Sequence, residues 1–236
     1  MTTESGAVLS RCCSRSGRGS DPSTSGPNLG PPFHRPSSAA PSLRSPARPG
    51  SANLEGMGFN HVAFATRDLL ATHRFYTDVM GFRLVKVVTA PTDTGGWARH
   101  VFYDTGGAGK GLIAFWDLHD DTIGNDFPTD LSRSHSLPAW VNHLAFDSPD
   151  RNDLEAHKQR WREHGITVAE VDHGFCRSIY ATDPNGILVE FCWDVRPLDA
   201  SDEAEAEALF WADQPPLSEP PGVEIFKPIA PAPSPA

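Results

Sequence analysis

The chain is short of the features that mark membrane, secreted and nucleic-acid-binding proteins. No apolar run approaches the roughly 20 residues that a membrane-spanning helix needs. The N-terminal region has no hydrophobic stretch of the kind a secretory signal carries. Of four cysteines, Cys12 and Cys13 sit near the start, leaving Cys176 and Cys192. Two such thiols are no disulfide framework and suit a reducing, cytoplasmic location. Basic charge is scarce as well. Residues 1–56 carry Arg11, Arg15, Arg18, Arg35, Arg44 and Arg48 against Glu4, Asp21 and Glu55, a balance of +3, which leaves −13 on the rest of a chain whose net charge is −10. An acidic body without a basic stripe argues against nucleic acid and anionic membrane as partners.

Residues 1–56 also lack apolar periodicity. Ser, Pro, Gly and Arg dominate, as in Ser14–Ser20 and Pro41–Pro46, and nothing there repays the entropy of ordering a backbone. This extension is expected to be disordered. Its Arg- and Ser-rich composition superficially suggests a transit peptide, but the amphipathic pattern is missing. A start codon assigned too early, with Met57 just before the first strand, is the preferred expectation.

What is present is a repeat. Asn60-His61-Val62-Ala63-Phe64 returns as Asn142-His143-Leu144-Ala145-Phe146. After the first copy, apolar spacing predicts a helix from about 68 to 80, with Leu69, Phe75, Tyr76, Val79 and Met80 near one face and Gly81 as its stop. After the second, Ser148-Pro149 reads as a cap with proline in the first turn, and the helix runs to His164 with Leu154 and Trp161 inward. Three β-rich runs follow each helix, at about 82–90, 97–104 and 111–117, then at about 166–172, 177–182 and 186–193. Asp183-Pro184-Asn185-Gly186 is a turn signal between the last two. The expected fold is α+β: tandem βαβββ units forming an open, curved mixed β-sheet around a metal site, with helices outside. The units span 57–118 and 139–196, joined by a polar linker at 119–138. An acidic, Pro-rich tail with one short helix at 201–212 covers 197–236.

Strand alternation places His61 with Ala63 and Ala65, and His143 with Ala145, opposite the large apolar residues. The histidine face is thus left open to a ligand. A single strand histidine is usually structural, but equivalent histidines in both copies favour a metal site. Glu190, inside the apolar run Gly186-Ile187-Leu188-Val189-Glu190-Phe191, supplies a carboxylate that is rarely buried without a partner. Two imidazoles and a carboxylate with open positions are the ligand set of non-haem Fe(II) oxygenases; Mn(II) and Zn(II) accept the same donors.

The repeat and the three ligands His61, His143 and Glu190 resemble the vicinal oxygen chelate superfamily, which includes glyoxalase I, bleomycin-resistance proteins and type I extradiol dioxygenases. The resemblance covers about 57–195. Val171-Asp172-His173, Ile179-Tyr180, Asp183-Pro184-Asn185-Gly186 and Glu190 are similar to the extradiol signature in every spaced element. This implies that Glu190 binds Fe(II), that Tyr180 hydrogen-bonds a substrate oxygen, and that His173 sits beside the bound diol and O2. Glyoxalase-type members use a fourth protein ligand. Aligning Gly111-Leu112-Ile113-Ala114-Phe115 with Gly186–Glu190 puts Phe115 at that place, where it can bind no metal. Dioxygenases of this kind place another histidine where this chain has Lys110 or Gly111; His100 is the available substitute. Trp97, Phe115 and Trp116 are candidates for an apolar wall.

The function expected is that of an Fe(II)-dependent dioxygenase acting on a small aromatic diol with O2. The alternatives are a glyoxalase-like lyase or isomerase without O2, and a resistance protein that binds a small molecule without turnover. Whether the units pair within one chain or swap across a homodimer is left open.

Overall fold

The computed structural model describes residues 59–106 and 111–229, so the expectations for residues 1–56 and for Lys110 lie outside the described residues. The first repeat folds as β1 (His61–Thr66), α1 (Leu69–Arg74), β2 (Arg83–Pro91), β3 (Trp97–Asp104) and β4 (Leu112–His119). The second gives β5 (His143–Asp147), α2 (Arg151–Glu163), β6 (Val168–Asp172), β7 (Cys176–Thr182) and β8 (Leu188–Asp194). Each unit makes its own open mixed sheet, ordered β1-β4-β3-β2 and, with a further strand β9 (Gly222–Phe226), β5-β8-β7-β6-β9. β1 and β4 run parallel, as do β5 and β8, and the remaining pairs are antiparallel. Among the described residues there is no closed barrel, and no helix is long and apolar enough to cross a membrane.

Local chemistry sets the boundaries. Asp68 caps α1, its carboxylate accepting from the Ala71 amide at 2.8 Å. The helix widens into a π-helical turn over Phe75–Val79 and stops at Gly81, whose φ of +80° a side chain would strain. A Cβ there would also collide with the guanidinium of Arg160. In the second unit the cap is Asp150, which accepts from the amides of Asn152 and Asp153 at 2.7 and 2.9 Å. Ser148, the expected cap, instead donates its hydroxyl to Asp153 at 2.8 Å. A carboxylate meets the positive end of a helix more favourably than a hydroxyl does, which moves the start by two residues.

The acidic, Pro-rich stretch holds two elements. The helix expected there is α3 (Ala200–Phe210). The strand β9 (Gly222–Phe226) was not expected; it pairs antiparallel with β6 and becomes the outer strand of the second sheet.

The large apolar side chains of both sheets face the helices, as the alternation predicted. Tyr76, Tyr103, Phe115, Trp161, Ile179 and Val189 are fully buried in one continuous core that draws on both units. The ring of Phe82 packs edge-on against Phe146 at 5.0 Å, joining them. A buried polar lock joins them too. The Tyr76 hydroxyl donates to Asp183 at 3.0 Å, and the Asn185 amide donates to the Thr72 hydroxyl at 3.2 Å. Asp183 also accepts from the amides of Asn185 and Ile187 at 2.9 and 2.8 Å. Burial pushes the Asp183 carboxyl above its ordinary range, and burial together with Asp183 does the same to the Tyr76 phenol. The helices pack on the apolar face of each sheet, and the histidines lie on the opposite face, outer only in that it points away from the shared core.

Candidate functional site

On the outer face of the second sheet, four of the five expected residues come together. Residues paired across neighbouring strands share a face. The register Ala145–Glu190–Tyr180 therefore sets the carboxylate beside the phenol. His143 Nε2 lies 3.2 Å from Glu190 Oε2, and His173 Nε2 lies 3.1 Å from the Tyr180 hydroxyl. Glu190 is only 5% exposed, so its charge sits in a poorly solvated place that calls for a cation. Burial, with the Glu190 charge second, holds the Tyr180 phenol well above its ordinary pKa, so it stays protonated as a hydrogen-bond donor. Cys176 and Cys192 share this face as free thiols; burial raises the Cys176 thiol to about 12, which keeps it unreactive.

The donor chemistry fits a metal. His143 Nδ1 lies 3.0 Å from the carbonyl oxygen of Trp140, which can only accept. Nδ1 therefore donates there, and Nε2, the nitrogen that faces Glu190, is the one that would bind a metal. His61 shows the same pattern: its Nδ1 is 2.9 Å from Oδ1 of Asn60, leaving Nε2 as the free nitrogen. The Trp140 carbonyl had no sequence signal. The Asn60 contact did, as the residue preceding His61 in the repeat, although Asn142 uses its amide differently, donating to the Leu131 carbonyl at 2.9 Å.

His61 does not join His143 and Glu190 within the chain. Among the described residues no three His, Cys, Asp or Glu side chains are grouped so as to hold a metal ion. His61 stands on the first sheet, its ring 5.4 Å from that of Phe102 and 6.0 Å from that of His100. His100 is 9% exposed and stacks on Trp116 at 3.9 Å, with its Nε2 buried and without a partner. Burial first, and His61 second, hold its pKa below the ordinary value.

One alignment is corrected. His61 pairs with Leu112 and His143 with Leu188, so the residue in the place of Glu190 is Ala114, and Phe115 matches Phe191. Aligning on Gly111 and Gly186 ignores the different lengths of chain before the two strands, and a slip of one residue reverses every side chain. Phe115 is core, packed on Tyr76 at 4.7 Å. The fourth-ligand position is still empty of a donor, because Ala114 offers a methyl group. Of the three aromatics proposed as a wall, Trp116 alone shares the face of His61; Trp97 stacks on His119 at 3.9 Å on the other side. A cavity of about 420 Å³ lined by Leu69, His73, Leu84, Val87 and Tyr103 also opens on that other side and adds nothing to the site.

The family described as Glyoxalase/Bleomycin resistance protein/Dioxygenase superfamily matches residues 58–191. Among solved structures, a glyoxylase/bleomycin resistance protein/dioxygenase domain from Frankia sp. EAN1pec is 21% identical, with 58% of this chain covering 98% of that one at a TM-score of 0.44. The fosfomycin resistance protein FosX from Listeria monocytogenes is 17% identical, with 59% of this chain covering 94% of that one at 0.39. Lactoylglutathione lyase from Agrobacterium tumefaciens is 21% identical, with 58% covering 92% at 0.38.

Proposed function

The chain belongs to the glyoxalase/bleomycin resistance protein/dioxygenase superfamily, and from that premise we propose that it is a metal-dependent dioxygenase acting on a small aromatic molecule with two adjacent oxygens. The observation that carries this reading is the outer face of the second sheet, where a histidine and a buried carboxylate converge beside a phenol that remains protonated.

His143 and Glu190 would hold a divalent metal, with His61 as third ligand. Fe(II) is the ion we assign, since two imidazoles and one carboxylate leave positions open for a chelating substrate and for O2. Such an ion supplies acidification of a bound hydroxyl and an electronic path between diol and oxygen. Tyr180 would donate its hydrogen bond to a substrate oxygen and fix the ring's orientation. His173, whose Nε2 is 3.1 Å from the Tyr180 hydroxyl, would accept and return a proton during turnover. Ala114 in place of a fourth donor supports this chemistry over a four-ligand lyase.

His61 would arrive from a second copy of the chain. Among the described residues, β1 and β5, which bear His61 and His143, are both edge strands of their sheets. An unpaired edge is a template for another strand. Setting β1 of one protomer beside β5 of its partner would bring His61 of the partner subunit to His143 and Glu190, giving a homodimer with two shared sites.

Oxygen uptake tests the reading. The full chain, loaded anaerobically with Fe(II), is expected to consume O2 with a panel of catechols and to form yellow ring-fission products. Silence across the panel, with metal still tightly bound, would replace the dioxygenase with a lyase or isomerase.

A further inference from the structure

The family match ends at residue 191, and β9 lies beyond it. Its register continues the site. Ala145 pairs with Glu190, Glu190 with Tyr180, Tyr180 with Ala169, and Ala169 with Ile225, so five strands contribute one row of side chains to one face. The next row runs Cys192, Ser178, Val171, Val223. The polar part of the first row ends at Tyr180. Beyond it come the methyl of Ala169 and the branched chain of Ile225.

β9 is held in place on its other face. Phe226 packs against the core under Lys158, whose Nζ lies 4.4 Å from the ring, and Arg162 donates to the Lys227 carbonyl at 2.9 Å. Val223 and Ile225, by contrast, are 38% and 40% exposed on the site face. Neighbouring strands lie about 4.8 Å apart, so Ile225 stands two spacings, about 10 Å, from Tyr180. That is the reach of a medium alkyl chain or one aryl ring. The floor between is low, because Ala169 projects only a methyl group.

We propose that Val223 and Ile225 form an apolar shelf that selects substrates whose oxygenated head carries an apolar arm. The head would be held at Glu190 and Tyr180, and the arm would cross Ala169 to end on Ile225. This rests on the metal-site reading for the head, and the shelf itself is the work of β9. The arm would shed its water against branched aliphatic surface, and the gain scales with the area covered.

The test uses the Fe(II)-loaded full chain under anaerobic conditions, with catechol, 4-hexylcatechol and the non-chelating 4-hexylphenol as titrants. The wild type is expected to bind 4-hexylcatechol about tenfold more tightly than catechol. Ile225→Asp should abolish that preference and leave catechol affinity unchanged. Ile225→Ser gives the same readout should the charged variant not fold. Equal affinities in the wild type, or a preference that survives both substitutions, would overturn the shelf while leaving the head site standing. So would a change of oligomeric state in the variants with the preference intact, which would make the surface an interface between copies. Should neither catechol bind, the metal-site reading fails by itself, and 4-hexylphenol decides the shelf: binding lost with Ile225→Asp supports it, and binding absent or unaltered overturns it.

Discussion

On the outer face of the second sheet, His143, Glu190, Tyr180 and His173 stand together, whereas the first sheet carries His61 and His100 and, at the place of Glu190, the methyl of Ala114. The sheet edges differ as well. β6 is covered by β9, while β2, its counterpart, has no further strand among the described residues and exposes Leu84, Val85, Val87 and Val88. The pairing His61–Leu112 and His143–Leu188 is nonetheless the same. Duplication has kept the backbone positions and let the residues at them diverge. One unit carries a carboxylate and a phenol beside its histidines, and the other carries His61 and His100 beside an aromatic stack.

The largest effect expected tests how the halves combine. Glu190→Ala and His61→Ala should each abolish stoichiometric metal binding, as read by metal analysis of the purified chain, while leaving the fold intact. Mixing the two variants under conditions that exchange subunits should restore one site per dimer. Full occupancy in Glu190→Ala alone would sink the ligand set, and no recovery on mixing would sink the shared site.

A second pair of changes probes the register. Phe115→Glu would place an unpaired carboxylate in the core and should cost at least about 3 kcal/mol, measured by urea unfolding. Ala114 is buried as well, but it lies on the face that carries His61, where an imidazole can pair with a carboxylate, and Ala114→Glu should cost less. The reverse ranking would mean that Phe115, not Ala114, matches Glu190.

These two residues also show how far the sequence was legible. The repeat of Asn-His and the alternation along β1 and β5 named the histidine face and the core face, because strand period is local information. Register is not local. It depends on the length of chain before β4 and β8, and the matching glycines pointed one residue away. Whether His61 meets Glu190 depends on which sheet edges join, and no residue in either strand declares that. β9 escaped notice because Val223-Glu224-Ile225-Phe226 is too short to stand out among prolines, and only the waiting edge of β6 makes it a strand. The polar lock was half visible: Asp183-Pro184-Asn185-Gly186 read as a turn, but its bond to Tyr76 did not.

Smaller effects test the junction and the second unit's interior. Tyr76→Phe should lower stability by about 1–3 kcal/mol, since Asp183 loses a buried donor, and the loss should appear in thermal melts. An unchanged melting temperature would make the lock incidental. His157 stacks on Phe191 at 3.6 Å, and burial holds its pKa below the ordinary value despite the opposing pull of Asp153. The unfolded chain then takes up a proton that the folded chain resists. The stabilisation is present above about pH 6.5 and is lost as the pH falls. Melts should show a modest decline below that point in the wild type and a shallower one in His157→Gln; parallel profiles would remove His157 as the cause.

The hydrogen bond from Tyr76 to Asp183 spans 107 positions in the chain. During synthesis at roughly 5–20 residues per second, Asp183 emerges on the order of 5–20 s after Tyr76. Through that interval Phe75, Tyr76 and Phe82 have no second sheet to cover them, and the exposed apolar side chains of β2 add to the uncovered surface. A nascent chain of this protein should therefore be a client of holding chaperones until its second half leaves the ribosome, and slowing translation beyond Met80 should raise the fraction that aggregates.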